Sequence, residues 1–179
     1  MSEELALTYV SGPSDPVTLA DGPGTYVEVL VSEPPEVVWP VVTDINLPAE
    51  FSEEFQGAEW KDDARGLGAC FVGRNRHSAV GEWQVDCYVD TYEQYRTFGW
   101  AVADAENPAA RWRFDLTGEG GGTLLKFATT LGPGPSGLTP IIKAKPESEA
   151  AILYVRLKEH NTNMARTIEG IKAKIESEA

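Results

Sequence analysis

Six short runs, "GAEWKDD", "GACFVGRNRHSA", "GEWQVDCYVDTY", "YRTFGWAVAD", "ARWRFDL" and "GTLLKFATTL", follow one another between residues 57 and 131. The breaks between them are Gly, Asp or Asn-Pro segments of hairpin length. Breaks that short join antiparallel neighbours, because a parallel crossover needs a dozen or more residues. Nothing in the region reads as a crossover helix, which argues against a parallel Rossmann-type sheet. Ahead of these runs, "TYVEVLV" alternates Val27, Val29 and Val31 with Tyr26, Glu28 and Leu30, giving a seventh strand.

The alternation says which face points inward. Trp83, Val85, Cys87 and Val89 share one face, with Gln84, Asp86 and Asp90 mostly opposite. Phe98, Trp100 and Val102 repeat the pattern, as do Trp112, Phe114 and Leu116 against Arg111, Arg113 and Asp115. Leu125, Phe127, Thr129 and Leu131 complete it. One face of the sheet is therefore wet and the other densely aromatic, and the aromatic face needs a cover.

The cover lies at the end of the chain. From Glu147 to about Ser177 the sequence is helical, about 45 Å long at the usual rise per residue. Leu153, Leu157, His160, Met164, Ile168, Ile171 and Ile175 recur at spacings of four and three, a stripe down one side. Glu147 and Glu149 at its start and Lys172 and Lys174 near its end suit the helix dipole.

Between the first strand and the six runs, "SEPPEVVWPVVTDINLPAEFSEEF" spells a short helix with Ser32 as cap and Pro34 and Pro35 in its first turn. Pro40 has no N–H and presses on the carbonyl of Glu36, so this helix is expected to kink or divide there. A second short helix is expected in "LPAEFSEEF", the pair forming one rim of a cup. Residues 1–23, rich in Gly, Pro, Asp and Ser, read as a flexible N-terminal arm; residues 24–179 read as a single domain.

Composition narrows the function classes. Lys plus Arg total 15 against 28 Asp plus Glu, a net charge of -13. Such a balance disfavours nucleic acid and anionic membrane surfaces, both of which are held by cations. The acidic start "MSEELALTYV" lacks a basic n-region and a long apolar h-region, so a cytoplasmic location is expected. Cys70 and Cys87 are too few for a disulfide framework or metal cage, and opposite parity points Cys70 out and Cys87 in. "GPGPSG", residues 132–137, matches a phosphate-loop pattern only formally, since it opens no βαβ helix and its prolines lack N–H groups. It is expected to begin a mobile loop, through "LTPIIKAKP", that caps the mouth of the cup. No metal, nucleotide or other cofactor is expected.

The order of elements, with "PPEVVWPVVTDINLPAEFS", "GACFVGRNRHSAVGEW", "RFDLTGEGGGTLLKF" and "EHNTNMARTIEGIK", resembles the START-like (SRPBCC, helix-grip) superfamily over about residues 24–175. Within it, the chain resembles the actinobacterial polyketide cyclase/dehydrase-like branch. The resemblance implies an α+β fold in which a curved seven-stranded antiparallel sheet grips the long C-terminal helix around a hydrophobic cavity. It implies a hydrophobic small molecule as partner, in a monomer or weak dimer. Some relatives catalyse cyclisation, aromatisation or condensation, and many only bind. In enediyne producers some START-like proteins sequester the reactive product and are themselves cleaved. By that analogy Gly120 to Gly122, whose Cα–H bonds yield hydrogen readily, are a site to consider.

The residues expected to meet a ligand follow from face and stripe. On the strands they are Phe71, Asn75, Trp83, Val85, Phe98, Trp100, Trp112, Phe114, Phe127 and Thr129; on the helix, Leu157, His160 and Met164. Their aromatic rings would stack on a planar polycyclic guest. Asn75 in such a setting requires a partner, either neighbouring backbone or a ligand. His160 is either a histidine satisfied in place or a general acid or base, with Asn75 polarising a carbonyl. No Asp or Glu is placed beside His160 by the pattern, and His77, near a turn, is expected to be half-exposed.

Overall fold

The computed structural model describes residue 10 and residues 12–179. The elements are β1 (Gly24–Val31), α1 (Pro35–Val42), β2 (Phe55–Trp60), β3 (Cys70–His77), β4 (Gly81–Glu93), β5 (Thr97–Val102), β6 (Ala110–Glu119), β7 (Gly122–Leu131), α2 (Leu138–Ala144) and α3 (Glu149–Glu178). The strands form one sheet in the order β1-β7-β6-β5-β4-β3-β2, every pair antiparallel. Each of the six runs is a strand, and the first strand closes the order by pairing with the last. Gly120 and Gly121 turn β6 into β7 with φ of 56° and 87°, a two-residue turn that needs left-handed backbone.

Register assembles the aromatic face in rows. Phe98 lies opposite Phe114, which lies opposite Phe127; the Phe114 and Phe127 rings stack with centroids 4.0 Å apart. Trp100 lies opposite Trp112, and Phe71 meets the Trp100 ring edge-on at 5.8 Å. An extra residue bulges β4 between Val89 and Thr91, so Tyr92 comes opposite Phe98 and joins the same face.

The long helix lies beside β1 and presents its predicted stripe, with Thr167 added, to the core. Polar side chains tie it to that edge strand. Asn161 Nδ2 donates to Thr25 Oγ1 over 2.9 Å, Lys172 Nζ to the Leu30 carbonyl over 2.7 Å, and the Ser32 N–H to Glu176 Oε1 over 2.9 Å. At the other end the Leu19 N–H donates to Glu149 Oε1 over 2.8 Å. Leu19 belongs to a 3-10 turn, Leu19–Asp21, within the stretch read as an arm; residues 1–9 and 11 of that stretch lie outside the described residues.

Three local expectations are corrected. α1 does not divide at Pro40 but runs as one helix to Val42, because Pro40 falls in its last turn. Val38, Trp39 and Val42 are buried, the Trp39 ring set edge-on to Tyr92, Tyr95 and Phe98. The second helix is only a 3-10 turn, Leu47–Glu50, since Phe55 already begins β2. Residues 138–144 are helical rather than loop: Pro140 sits in the first turn of α2, where its missing N–H is tolerated.

Phe51 follows the 3-10 turn and lies against α3 at Gly170, where an added methyl group would come within 2.4 Å of the ring. Gly→Ala inside a helix ordinarily gains about 1 kcal/mol. Gly170→Ala is expected to lose roughly 1–3 kcal/mol instead, because overpacking outweighs propensity. Urea unfolding measures the sign; a more stable variant would show that Phe51 does not rest on the helix.

Candidate functional site

The aromatic face and α3 do not close on each other. Between them is a cavity of about 880 Å³, a size that suits a small-molecule guest. Cross-strand register explains its wall. Phe71, Gly73 and Asn75 of β3 face Cys87, Val85 and Trp83 of β4, and all six line the space. Phe98 and Trp100 of β5, Trp112 and Phe114 of β6 and Phe127 of β7 continue the wall, while His160 and Met164 come from α3. Val42 at the end of α1, with Ile45 and Pro48 beyond it, forms part of the lining, and Phe55 enters from β2. Leu138 and Ile141 of α2, with Val80 of the β3–β4 turn and Val155 of α3, also line it. Ile141, Val80 and Val155 are exposed apolar side chains, which marks an apolar, solvent-reaching rim.

Two of the thirteen residues expected to meet a guest are elsewhere. Thr129 is fully buried with its hydroxyl donating to the Arg111 carbonyl over 2.9 Å, and is absent from the lining. Leu157 packs with Leu131 and Leu153 in a second apolar cluster that Leu19, Leu138 and Ile142 complete. Parity gave both the right face, but near β1 that face is pressed against the helix. Gly120 to Gly122 are not in the lining.

The two polar residues singled out from the sequence have no protein partner. The Asn75 side chain makes no hydrogen bond among the described residues, so neighbouring backbone does not satisfy it. His160 is 6% exposed, also without a hydrogen bond, and its ring stands edge-on to Trp112 at 4.9 Å. Burial, then the charge of Arg156 and then His77, hold the His160 ring well below the usual histidine range. It is therefore neutral at pH 7 and able to accept a proton rather than give one. Cys87 also lines the cavity, but burial pushes its thiol up to about 12, which leaves no thiolate for nucleophilic chemistry.

A charged cluster on the cavity wall was not read from the sequence. Arg156 of α3 holds Glu54 through both guanidinium nitrogens, Nη1 to Oε2 over 2.9 Å and Nη2 to Oε1 over 2.5 Å. The same Nη1 donates to Glu159 Oε2 over 2.9 Å. The Ala79 N–H donates to His77 Nδ1, so Nε2 carries the hydrogen and donates to Glu159 Oε2 over 3.0 Å. Glu54, His77 and Glu159 place possible metal-ligand atoms within 4.8 Å of one another, yet Arg156 already supplies the positive charge there.

A family model described as polyketide cyclase / dehydrase and lipid transport matches residues 24–169. The chain belongs to this family. Among solved structures, this polyketide cyclase/dehydrase-family protein resembles Cgl2372, a polyketide cyclase-like protein of Corynebacterium glutamicum. The identity is 23%, the TM-score 0.64, and 92% of this chain and 95% of that one are covered. Zhui aromatase/cyclase from a Streptomyces species is 15% identical with a TM-score of 0.59, covering 86% of this chain and 93% of that one. The di-domain ARO/CYC StfQ of the steffimycin biosynthetic pathway is 10% identical with a TM-score of 0.66, covering 87% of this chain and 51% of that one. At these identities the solved structures share the fold of this family member, a seven-stranded antiparallel sheet with a long C-terminal helix. A comparison with curated protein sequences finds no significant match. Among the described residues no helix is long and apolar enough to cross a membrane.

The family's alternating strands advertise cavity aromatics; ion pairs leave no such trace, because Glu54, His77 and Arg156 are far apart in sequence. The Arg-x-x-Glu spacing on α3 could have signalled only Arg156 with Glu159. Arg156→Met leaves Glu54, whose side chain is 12% exposed, without its cation. The expected cost is about 1–3 kcal/mol in denaturant unfolding; an unchanged midpoint would show the pair to be solvated.

His160 also predicts a pH dependence. Its folded value lies below 6.5, so between that lower value and 6.5 the unfolded chain binds the extra proton. Stability contributed by the neutral ring is complete above 6.5 and falls as pH drops through that window. His160→Gln is expected to remove that component, at most about 1.4 kcal/mol per pH unit. Unfolding midpoints of the two proteins measured from pH 7.5 downward should diverge; parallel curves would place the His160 ring in water.

Proposed function

We propose that the protein binds a hydrophobic, aromatic or polyketide-like small molecule of secondary metabolism in the cavity. The observation that carries this reading is the hollow itself: about 880 Å³ left open against a wall of Phe and Trp rings. Rigid aromatic side chains offer large contact area at low entropic cost, and offset or edge contacts suit a planar polycyclic guest. Asn75 and His160, free of protein partners, supply polar contacts that would orient it.

Native mass spectrometry of the purified protein should reveal a co-purifying hydrophobic molecule, and a planar hydroxyanthraquinone should quench its tryptophan fluorescence. Trp112→Ala is expected to weaken that complex about tenfold or more, as loss of a buried aromatic anchor does. Absence of both a co-purifying molecule and quenching would dispose of the proposal.

A second reading, cyclisation or aromatisation of a poly-β-keto chain, is favoured by one observation. The neutral, unpartnered His160 ring lines the cavity. In this reading His160 removes a proton from a methylene between two ketones, and the resulting enolate attacks a second carbonyl that the Asn75 amide polarises. The alkoxide so formed takes the proton back from His160. Holding the chain folded supplies much of the acceleration. The Zhui protein and StfQ, aromatase/cyclases of the same fold, lend this reading support. His160→Ala is expected to abolish turnover while leaving binding largely intact; persistent turnover would remove His160 as the catalyst.

A further inference from the structure

The charge balance of the cavity wall constrains the guest beyond its shape. Three carboxylates, Asp44, Glu54 and Glu159, line the space, against one guanidinium, Arg156, and no lysine. Glu54 is neutralised by its bidentate pairing with Arg156. Glu159 shares a single oxygen, Oε2, with Arg156 and His77, and its Oε1 makes no hydrogen bond among the described residues. Since His77 donates from its neutral tautomer, the Glu54–Arg156–Glu159 group carries one net negative charge.

The second observation is His160. It is 6% exposed, without a hydrogen bond, and aimed into the same cavity, where a buried neutral imidazole offers a bare ring nitrogen. The Asn75 amide oxygen is a further unused acceptor. Trp100 and Trp112 line the same wall, and the faces of indole rings attract cations. The carboxylate and the indole rings favour positive charge, and the imidazole nitrogen and amide oxygen are able to accept from a guest's N–H groups. A carboxylate-bearing guest finds Arg156 as the single opposing cation, and that cation is already bonded to two carboxylates.

We propose that the cavity selects guests bearing a basic amine, the ammonium lying against Glu159 while the apolar body occupies the aromatic wall. This rests on the reading of the cavity as a ligand site and specifies the chemical class of its ligand. The protein's net charge of -13 adds to it by drawing cations toward the mouth.

Three anthracenes with the same ring system, bearing aminomethyl, hydroxymethyl or carboxyl groups, separate the two ideas by fluorescence titration of the wild-type protein. The expected order is amine above alcohol above carboxylate, with about tenfold between amine and alcohol at low salt and less at high salt. Glu159→Gln is expected to bring the amine-to-alcohol ratio close to one. Alcohol binding with no amine advantage, or with a carboxylate advantage, overturns the proposal while the cavity reading stands. If none of the three binds, the cavity reading itself falls, and this proposal with it.

Discussion

The attachment of α3 to the edge of β1 governs the rest of the molecule. Asn161, Lys172 and Glu176 bond to the outer side of that strand, and Glu149 holds the 3-10 turn before it. This covers a sheet edge that would otherwise be open to pairing with another chain. It also seats the helix along one side of the concave face. Close to β1 and β7 the apolar stripe meets the strands and is filled, as Leu157 and Thr129 show. Over β3 to β6 the sheet curves away, and helix side chains meet it at its margins, Glu159 at His77 and the His160 ring at Trp112. A hollow survives there because polar bonds hold the helix at the margins, to β1 on one side and to Glu54 and His77 on the other.

Holding a hollow open exposes apolar surface, and the structure limits that loss by packing the wall against itself. Phe114 stacks on Phe127, Phe71 meets Trp60 and Trp100 edge-on, and Trp39 closes the end against Tyr92, Tyr95 and Phe98. The rings thus keep fixed positions without a guest, so little ordering remains to be done on binding. The polar groups behave differently. Arg156, Glu54, Glu159 and His77 bond to one another with Glu159 Oε1 left open, whereas Asn75 and His160 make no hydrogen bond among the described residues. His160 is buried and Asn75 half-buried, and a guest able to bond them offsets the water contact that each gives up on folding.

Alternation with period two put Trp83, Val85, Phe98, Trp100, Trp112, Phe114 and Phe127 on the inner face, and all of them line the cavity. The stripe on α3 did the same for His160 and Met164. Periodicity reports a face, however, not the distance to what covers it, so Thr129 and Leu157 carried the same signal and are core. α2 escaped because seven residues with an internal proline give too little pattern to distinguish a helix from a loop. Pro40 misled in the opposite direction: its effect depends on where the helix ends, and it ends two residues later.

What the sequence by itself determined is the antiparallel order of strands, the inward aromatic face and the covering helix, since each is a local pattern set by backbone geometry. Only the tertiary structure decided that the space between them is open. It also decided that Glu54, His77, Arg156 and Glu159 meet on its wall, and that Asn75 and His160 go without protein partners. Those outcomes depend on the curvature of seven strands and on which side the helix is tied, distances that accumulate across the whole chain and leave no mark on any one stretch of it.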